Sequence, residues 1–203
     1  MNKSILTKLG NKIELIDGKG KTLIIGVFHG DEPQGKYLID EYLKTNSEEG
    51  LLFIPCLNPD GLQLGKRTNA NGVDLNRNFP AKNWELTEKN EFFGGMSAGS
   101  ETETQFLIDT INEFKPELIL TLHAPYKVVN YDGPAKEISE KISQIINYPV
   151  EESIGYPTPG SFGTYAGIER QIPTITLELE VCPVQDLVKP IFQIFDMLKK
   201  RGL

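Results

Sequence analysis

Apolar residues follow two rhythms along this chain. Short unbroken runs at 23–28, 51–57 and 118–122 read as strands buried on both faces. Segments 12–16, 128–131 and 173–180 read as further strands. Between them lie helical patterns at 33–45, 100–115, 134–146 and 184–200. The first of these puts Tyr37, Leu38, Tyr42 and Leu43 on one face, and the last is amphipathic throughout.

Punctuation supports this division. Asp17-Gly18-Lys19-Gly20 reads as a hairpin turn between the strands at 12–16 and 21–28. Pro33 suits the first position of its helix. Ser100 with Glu103 three residues on reads as a capping box. Residues 58–99 form a long Asn/Gly/Pro-rich stretch, and a loop of that length is uncommon unless it builds a site. Helices alternating with apolar strands predict one α/β domain over 1–203, a three-layer α/β/α arrangement around a mixed, mostly parallel sheet. No repeat, low-complexity segment or linker interrupts it.

His29, Asn58, His123 and Glu178 each fall at or just beyond the C-terminal end of a predicted strand. In open α/β sheets that edge is where ligands bind. His29 and His123 are the only histidines in the chain. With Glu32 three residues after His29, they make the minimal ligand set for a catalytic zinc with an open fourth position. The same trio serves non-haem iron sites, but those are expected on β-rich scaffolds, so Zn2+ is the expected metal. Asp31 and Glu32 could otherwise be helix N-terminal acids; the two strand-end histidines single out Glu32.

Composition narrows the partners. At 203 residues, the net charge of −7 and pI near 5.0 leave no broad basic field for nucleic acid or an anionic membrane surface. An anionic substrate must be met by a few local cations. No apolar run reaches membrane-spanning length, and residues 1–10 carry no long apolar segment, so a cytoplasmic protein is expected. Cys56 and Cys182 sit at the ends of apolar runs and read as buried free thiols in a reducing compartment. Nothing in the pattern specifies an oligomer.

An acid inside an otherwise apolar strand needs a partner or a purpose. Near zinc, Glu178 could take the proton of a water and later pass it to a leaving amine. Glu180 shares its strand parity and is a rival for that role. In the stretch 67–79, Arg77 beside Asn76 could grip a carboxylate through two parallel hydrogen bonds. Arg67 could hold an oxyanion.

Taken together, His29-x-x-Glu32, Asn58-Pro59-Asp60-Gly61, Arg67, Gly72-Val73-Asp74-x-Asn76-Arg77-Asn78, His123 and Thr176-x-Glu178 resemble the zinc metallocarboxypeptidase family, in the right order over nearly the whole chain. The resemblance implies that His29, Glu32 and His123 ligate zinc and that Glu178 is general base and acid. It implies that Arg67 polarises the scissile carbonyl and that Asn76 and Arg77 bind a terminal carboxylate. Asp74 would orient His29 from behind. Tyr156 would close over the substrate, and a pocket floor would come from Ser161 to Tyr165. The segments 68–80, 99–104 and 155–163 are most similar to the small bacterial murein peptide amidases of that family. Their likeness implies a small murein tripeptide-like substrate cut at its γ-D-glutamyl–diaminopimelate bond during cell-wall recycling. Where many amidases carry an acid before the proline that follows the second histidine, this chain has Ala124-Pro125. The alternatives are an aspartoacylase-like hydrolase of N-acyl amino acids and a non-catalytic peptide-binding module on the same fold.

Overall fold

The apolar runs lie in the middle of one eight-stranded sheet, as their two-faced burial requires. The computed structural model describes residues 3–152 and 155–200. Its strands are β1 (Lys3–Leu6), β2 (Lys12–Asp17), β3 (Thr22–Gly26), β4 (Leu51–Ile54), β5 (Leu118–His123), β6 (Val128–Asp132), β7 (Val150–Glu151) and β8 (Thr174–Glu178). The helices are α1 (Gln34–Thr45), α2 (Pro59–Leu64), α3 (Thr102–Phe114), α4 (Lys136–Ile146) and α5 (Val184–Lys199). A 3-10 turn at Leu75–Arg77 and a π-helical segment at Gly163–Ile168 complete the set.

Spatial order across the sheet is β1-β2-β4-β3-β5-β8-β6-β7. The central strands β4, β3, β5 and β8 are mutually parallel, and antiparallel β2 and β6 flank them. Alternation along each strand sends side chains to two separate cores. One face packs Ile24, Phe53, Leu120 and Leu177 against α1, α4 and α5. The other packs Leu23, Ile25, Leu52 and Ile54 against α3, with Phe79, Phe162 and Tyr165 beside it. The result is the expected α/β/α layering around a mixed, mostly parallel sheet.

Three local expectations fail for physical reasons. Segment 17–20 does not close a hairpin: β2 pairs with β4, which inserts between β2 and β3. The backbone of 48–51 lies against that turn, with Gly50 N donating to Gly18 O at 2.6 Å. A β-carbon on Gly18 would sit 1.9 Å from Glu48 O, so the glycines admit a neighbouring chain. Ser100 and Glu103 form no capping box. Ser100 Oγ donates to Glu101 Oε1, and Glu101 becomes the N-cap without a side-chain cap bond. Glu101 and Glu103 instead turn inward to accept from Asn69, and Glu101 also accepts from Asn71, tying the 69–72 turn to α3. Finally, the strands at 23–28, 51–57 and 173–180 stop early, at Gly26, Ile54 and Glu178. Val27 adopts φ +54°, a conformation costly for a β-branched residue, and turns the chain at the end of β3. β1, α2 and β7 are too short to register in the pattern.

Phe195 of α5 is fully buried and makes edge-on contacts with Tyr42 and Phe53, joining α1, α5 and β4. Phe195→Ala is expected to cost about 3–5 kcal/mol, the range for truncating a buried aromatic. A urea midpoint that barely moves would show that the helices do not depend on this contact.

Candidate metal centre and substrate cleft

Three strand ends and one helix start converge to build the site. Past β3, the turn at Val27 delivers Phe28 and His29 to the sheet edge, and Glu32 stands just before α1. His123 is the last residue of β5, and Glu178, the last of β8, is its register partner.

The backbone beneath His29 is tightly specified. A β-carbon on Gly30 would lie 1.9 Å from Gly61 C, so no other residue fits between His29 and the start of α2. Asn58 caps α2 by accepting from Gly61 N at 2.9 Å. Its amide also donates to Phe28 O and Arg67 O, at 3.2 and 3.3 Å. The Asn58-Pro59-Asp60-Gly61 motif is thus a clamp that fixes the chain carrying His29 to the chain carrying Arg67.

His29 Nδ1 lies 2.8 Å from Glu32 Oε1, and His123 Nδ1 lies 3.0 Å from Glu32 Oε2. The two Nδ1 atoms are 3.3 Å apart. His29, Glu32 and His123 can each offer a ligand atom, all within 4.8 Å of one another. The donors fit zinc: ligands tetrahedrally placed at roughly 2.0–2.1 Å from one ion are themselves about 3.3 Å apart. Both histidines are only 3% exposed, which suits a dry ligand shell.

Asp74 stands behind His29. Fully buried, it meets His29 Nε2 with Oδ1 at 3.2 Å. It accepts Arg67 Nε and Nη2 on Oδ2 at 3.0 and 2.9 Å, and Asn76 N on Oδ1 at 2.8 Å. Burial would raise its pKa, but His29, Arg67 and Arg77 outweigh this and hold it below the usual carboxylate range. Burial likewise opposes charge on His29; the Asp74 and Glu32 carboxylates overcome it and lift the imidazole to about 9. Glu32, despite its own burial, is held low by His123 and His29.

These groups open onto a cleft of about 760 Å³. Arg67, with its guanidinium over the Phe92 ring and Nη1 3.9 Å from Glu32, lines one side. Asn76 and Arg77 line it beyond; Arg77 is 6% exposed and spends one N–H on Asn76 O. Glu178 lies in the wall with Oε2 buried and unpartnered. Burial pushes its pKa up, against the pull of His123 and with a further push from Glu32. Half-exposed Tyr156 stands at the cleft.

The rival acid is elsewhere. Glu180 pairs with Lys127 Nζ at 2.8 Å and meets Tyr148, because β8 has ended and strand parity no longer applies. Ser161 reaches the cleft, yet its hydroxyl bonds Thr164 Oγ1 and accepts from Thr164 N, capping the π-helical segment. Tyr165 is not pocket floor: its ring is buried against Phe79, and Arg170 stacks on it. Gly163 is what the cleft receives from that segment. Thr176 of the Thr176-x-Glu178 motif also lines the cleft, as do Asn130 and Asp132, which no sequence motif singled out. Counting alternate residues back from Glu178 and across to β6 would have found them.

An α/β/α fold with two imidazoles and a carboxylate gathered at its strand edge defines a candidate metal-binding protein. Residues 8–159 match the zinc carboxypeptidase model, and the chain belongs to that family. It is similar to murein peptide amidase A of Escherichia coli K12, with 38% identity over 70% of this chain and 64% of that protein. The enzyme of the same name in Vibrio campbellii is 34% identical over 81% of this chain and 71% of its own. The chain therefore spans just under two thirds of the Escherichia coli relative. Among solved structures, murein-tripeptide amidase from Escherichia coli O157 superposes with a TM-score of 0.88 at 31% identity, covering 98% of this chain and 91% of that one. Carboxypeptidase A from Helicoverpa armigera shares the fold at TM-score 0.75 and 18% identity, over all of this chain and 68% of its own.

Asp74→Asn keeps the shape but removes the charge that orients His29 and holds Arg67. Metal affinity is expected to fall roughly 10–100-fold, as for comparable partners of ligating histidines. Competition with a chromophoric chelator measures this, and unchanged affinity would mean that Asp74 serves Arg67 alone.

Proposed function

We propose that this protein is a zinc-dependent amidase that cuts a peptide or isopeptide bond beside a free carboxylate, with residues 1–203 as its catalytic domain. The observation that carries the reading is Glu178. Its carboxylate is buried, has an oxygen without a partner, and faces the cleft opposite His123 in the sheet register. Burying such a group is costly unless a ligand or a reaction needs it there.

His29, Glu32 and His123 would hold the zinc. Zinc in this position supplies the Lewis acidity that acidifies a water molecule and polarises an amide carbonyl. Glu178 would take the proton of an attacking water and deliver it to the departing amine, a task suited to a carboxyl whose pKa burial has raised. Arg67, fixed by Asp74, presents its remaining N–H groups to the carbonyl oxygen as negative charge develops. Arg77 and Asn76 bind the terminal carboxylate of the leaving residue; the guanidinium has five donors, and only one is spent on Asn76 O. Tyr156 covers the substrate from the mouth, and Ser161 shapes the wall.

Resemblance to the murein peptide amidases points to the γ-D-glutamyl–diaminopimelate bond of a small murein peptide, and so to peptidoglycan recycling in the cytoplasm. The test is turnover of L-Ala-γ-D-Glu-diaminopimelate with and without chelator, alongside acetylated and succinylated amino acids. Chelator-sensitive release of diaminopimelate supports the amidase. Release of acetate or succinate alone would identify an aspartoacylase-like hydrolase, and binding without turnover a peptide-binding module.

Glu178→Gln is expected to leave zinc stoichiometry intact and to lower kcat by about 10²–10⁴-fold, the scale of general acid–base catalysis. Undiminished turnover would remove Glu178 from the chemistry. Amidating the substrate's terminal carboxyl should cost about 2–5 kcal/mol in kcat/KM by leaving Arg77 buried and unpaired. An enzyme indifferent to that change would exclude the clamp.

A further inference from the structure

Hydrogen bonds alone do not fix the guanidinium of Arg67. Its Nε and Nη2 both donate to a single oxygen, Asp74 Oδ2, because Oδ1 is occupied by the His29 ring and the Asn76 N–H. A guanidinium forked onto two carboxylate oxygens has its plane set by the carboxylate. One fastened to a single oxygen can still swing about it. Its Nη1, which donates to none of the described residues, would swing with it. Glu32 Oε1, 3.9 Å from Nη1, is the acceptor toward which a loose guanidinium would turn.

A second contact removes that freedom. The Arg67 guanidinium carbon lies over the Phe92 ring, 5.1 Å from its centre, within the range of a cation–π contact. Phe92 is 44% exposed and stands in the cleft wall, so filling a core does not account for it. Its backbone is nevertheless firmly held. The N–H groups of Phe92 and Phe93 donate to the side chain and carbonyl of Asn90, at 2.8 and 3.1 Å. Phe93 is buried, and its carbonyl accepts from Asp74 N at 2.8 Å. Gly94 O, next along the chain, accepts from Asn78 Nδ2 at 2.8 Å. The Asp74 carboxylate and the Phe92 ring, which between them hold Arg67, are thus fastened to each other through the backbone.

We propose that Phe92 is a positioning residue. Its ring sets the plane of the Arg67 guanidinium and keeps water off one face, so that the Nη1 donors are aimed at the oxygen that gains charge in the reaction. Donors placed in advance stabilise such an oxygen without having to reorganise. Excluding water from the guanidinium face strengthens them further. Phe92 touches no reacting atom and acts through Arg67.

The inference rests on the amidase reading, and two measurements separate them. The first needs no substrate. Exchange of the Arg67 Nε–H with water is followed by NMR in zinc-loaded protein, the resonance being assigned by its loss in Arg67→Ala. Phe92→Leu keeps apolar bulk but removes the ring face, and should make this exchange severalfold faster; Phe92→Tyr should restore it. The second is turnover of L-Ala-γ-D-Glu-diaminopimelate. Phe92→Leu should lower kcat and kcat/KM together by about 3–30-fold, the worth of a partly desolvated cation–π contact, with KM unchanged. Phe92→Tyr should recover most of the loss. In an Arg67→Ala background, Phe92→Leu should change turnover by no more than about twofold, because the ring then has nothing to hold. Unaltered exchange, an undiminished effect without Arg67, or a rise in KM alone would overturn the proposal. A wild-type protein that releases no diaminopimelate, with the exchange difference intact, would overturn only the amidase reading.

Discussion

The site depends on one buried carboxylate. Asp74 meets His29, Arg67 and the backbone of Asn76 at once, with no exposure to solvent. It couples a metal-ligand candidate to the residue that would face a carbonyl oxygen, and both to the turn that carries Arg77. A charge buried so deeply is tolerable only because the Arg67 guanidinium, the His29 ring and a backbone N–H share it. Its helical turn is short, so the geometry comes from these contacts and not from regular structure. That explains how a segment without a strand can hold its side chains in fixed positions at the cleft.

The sheet supplies the other half of the precision. His123 and Glu178 end adjacent parallel strands in register, so their spacing is fixed by the ladder itself. His29 is not in the ladder and is held by compulsion of a different kind: Val27 in a left-handed conformation, Gly30 against Gly61, and Asn58 bonded to both loops. Strain at a strand end is expected where a side chain must be turned out of the sheet toward a ligand. The compensation lies in the apolar packing beneath, where Phe28 stacks on His123 and packs against Phe79 and Phe162.

What the sequence disclosed follows from which forces are local. Apolar runs at 23–28, 51–57 and 118–122 announce central strands because burial on both faces leaves no alternation to confuse. His29, Glu32 and His123 could be expected to converge because parallel strands end at a common edge. The insertion of β4 between β2 and β3 was hidden, since Gly18 and Gly20 look like turn residues whether they close a hairpin or admit a neighbouring chain. Glu103 looked like a capping residue until its partner proved to be Asn69, a contact made across 34 positions. Glu178 and Glu180 were equivalent by parity, and only the point where β8 ends separates them. Asp132 belongs to the same class of hidden information: the sequence contains it, but its place in the cleft depends on which strand lies beside β6.

The two unsatisfied acids of the cleft therefore have one explanation. Folding alone would select against both Glu178 and Asp132, each desolvated and short of partners. Elsewhere among the described residues, buried acids have partners: Asp60 accepts from Thr7, Leu9 and Asn11, and Glu101 accepts from Asn69, Asn71 and Ser100. The exceptions fall on one strip of one strand pair, facing one cavity. Stability surrendered so locally is characteristic of a binding surface whose missing partners arrive with the ligand.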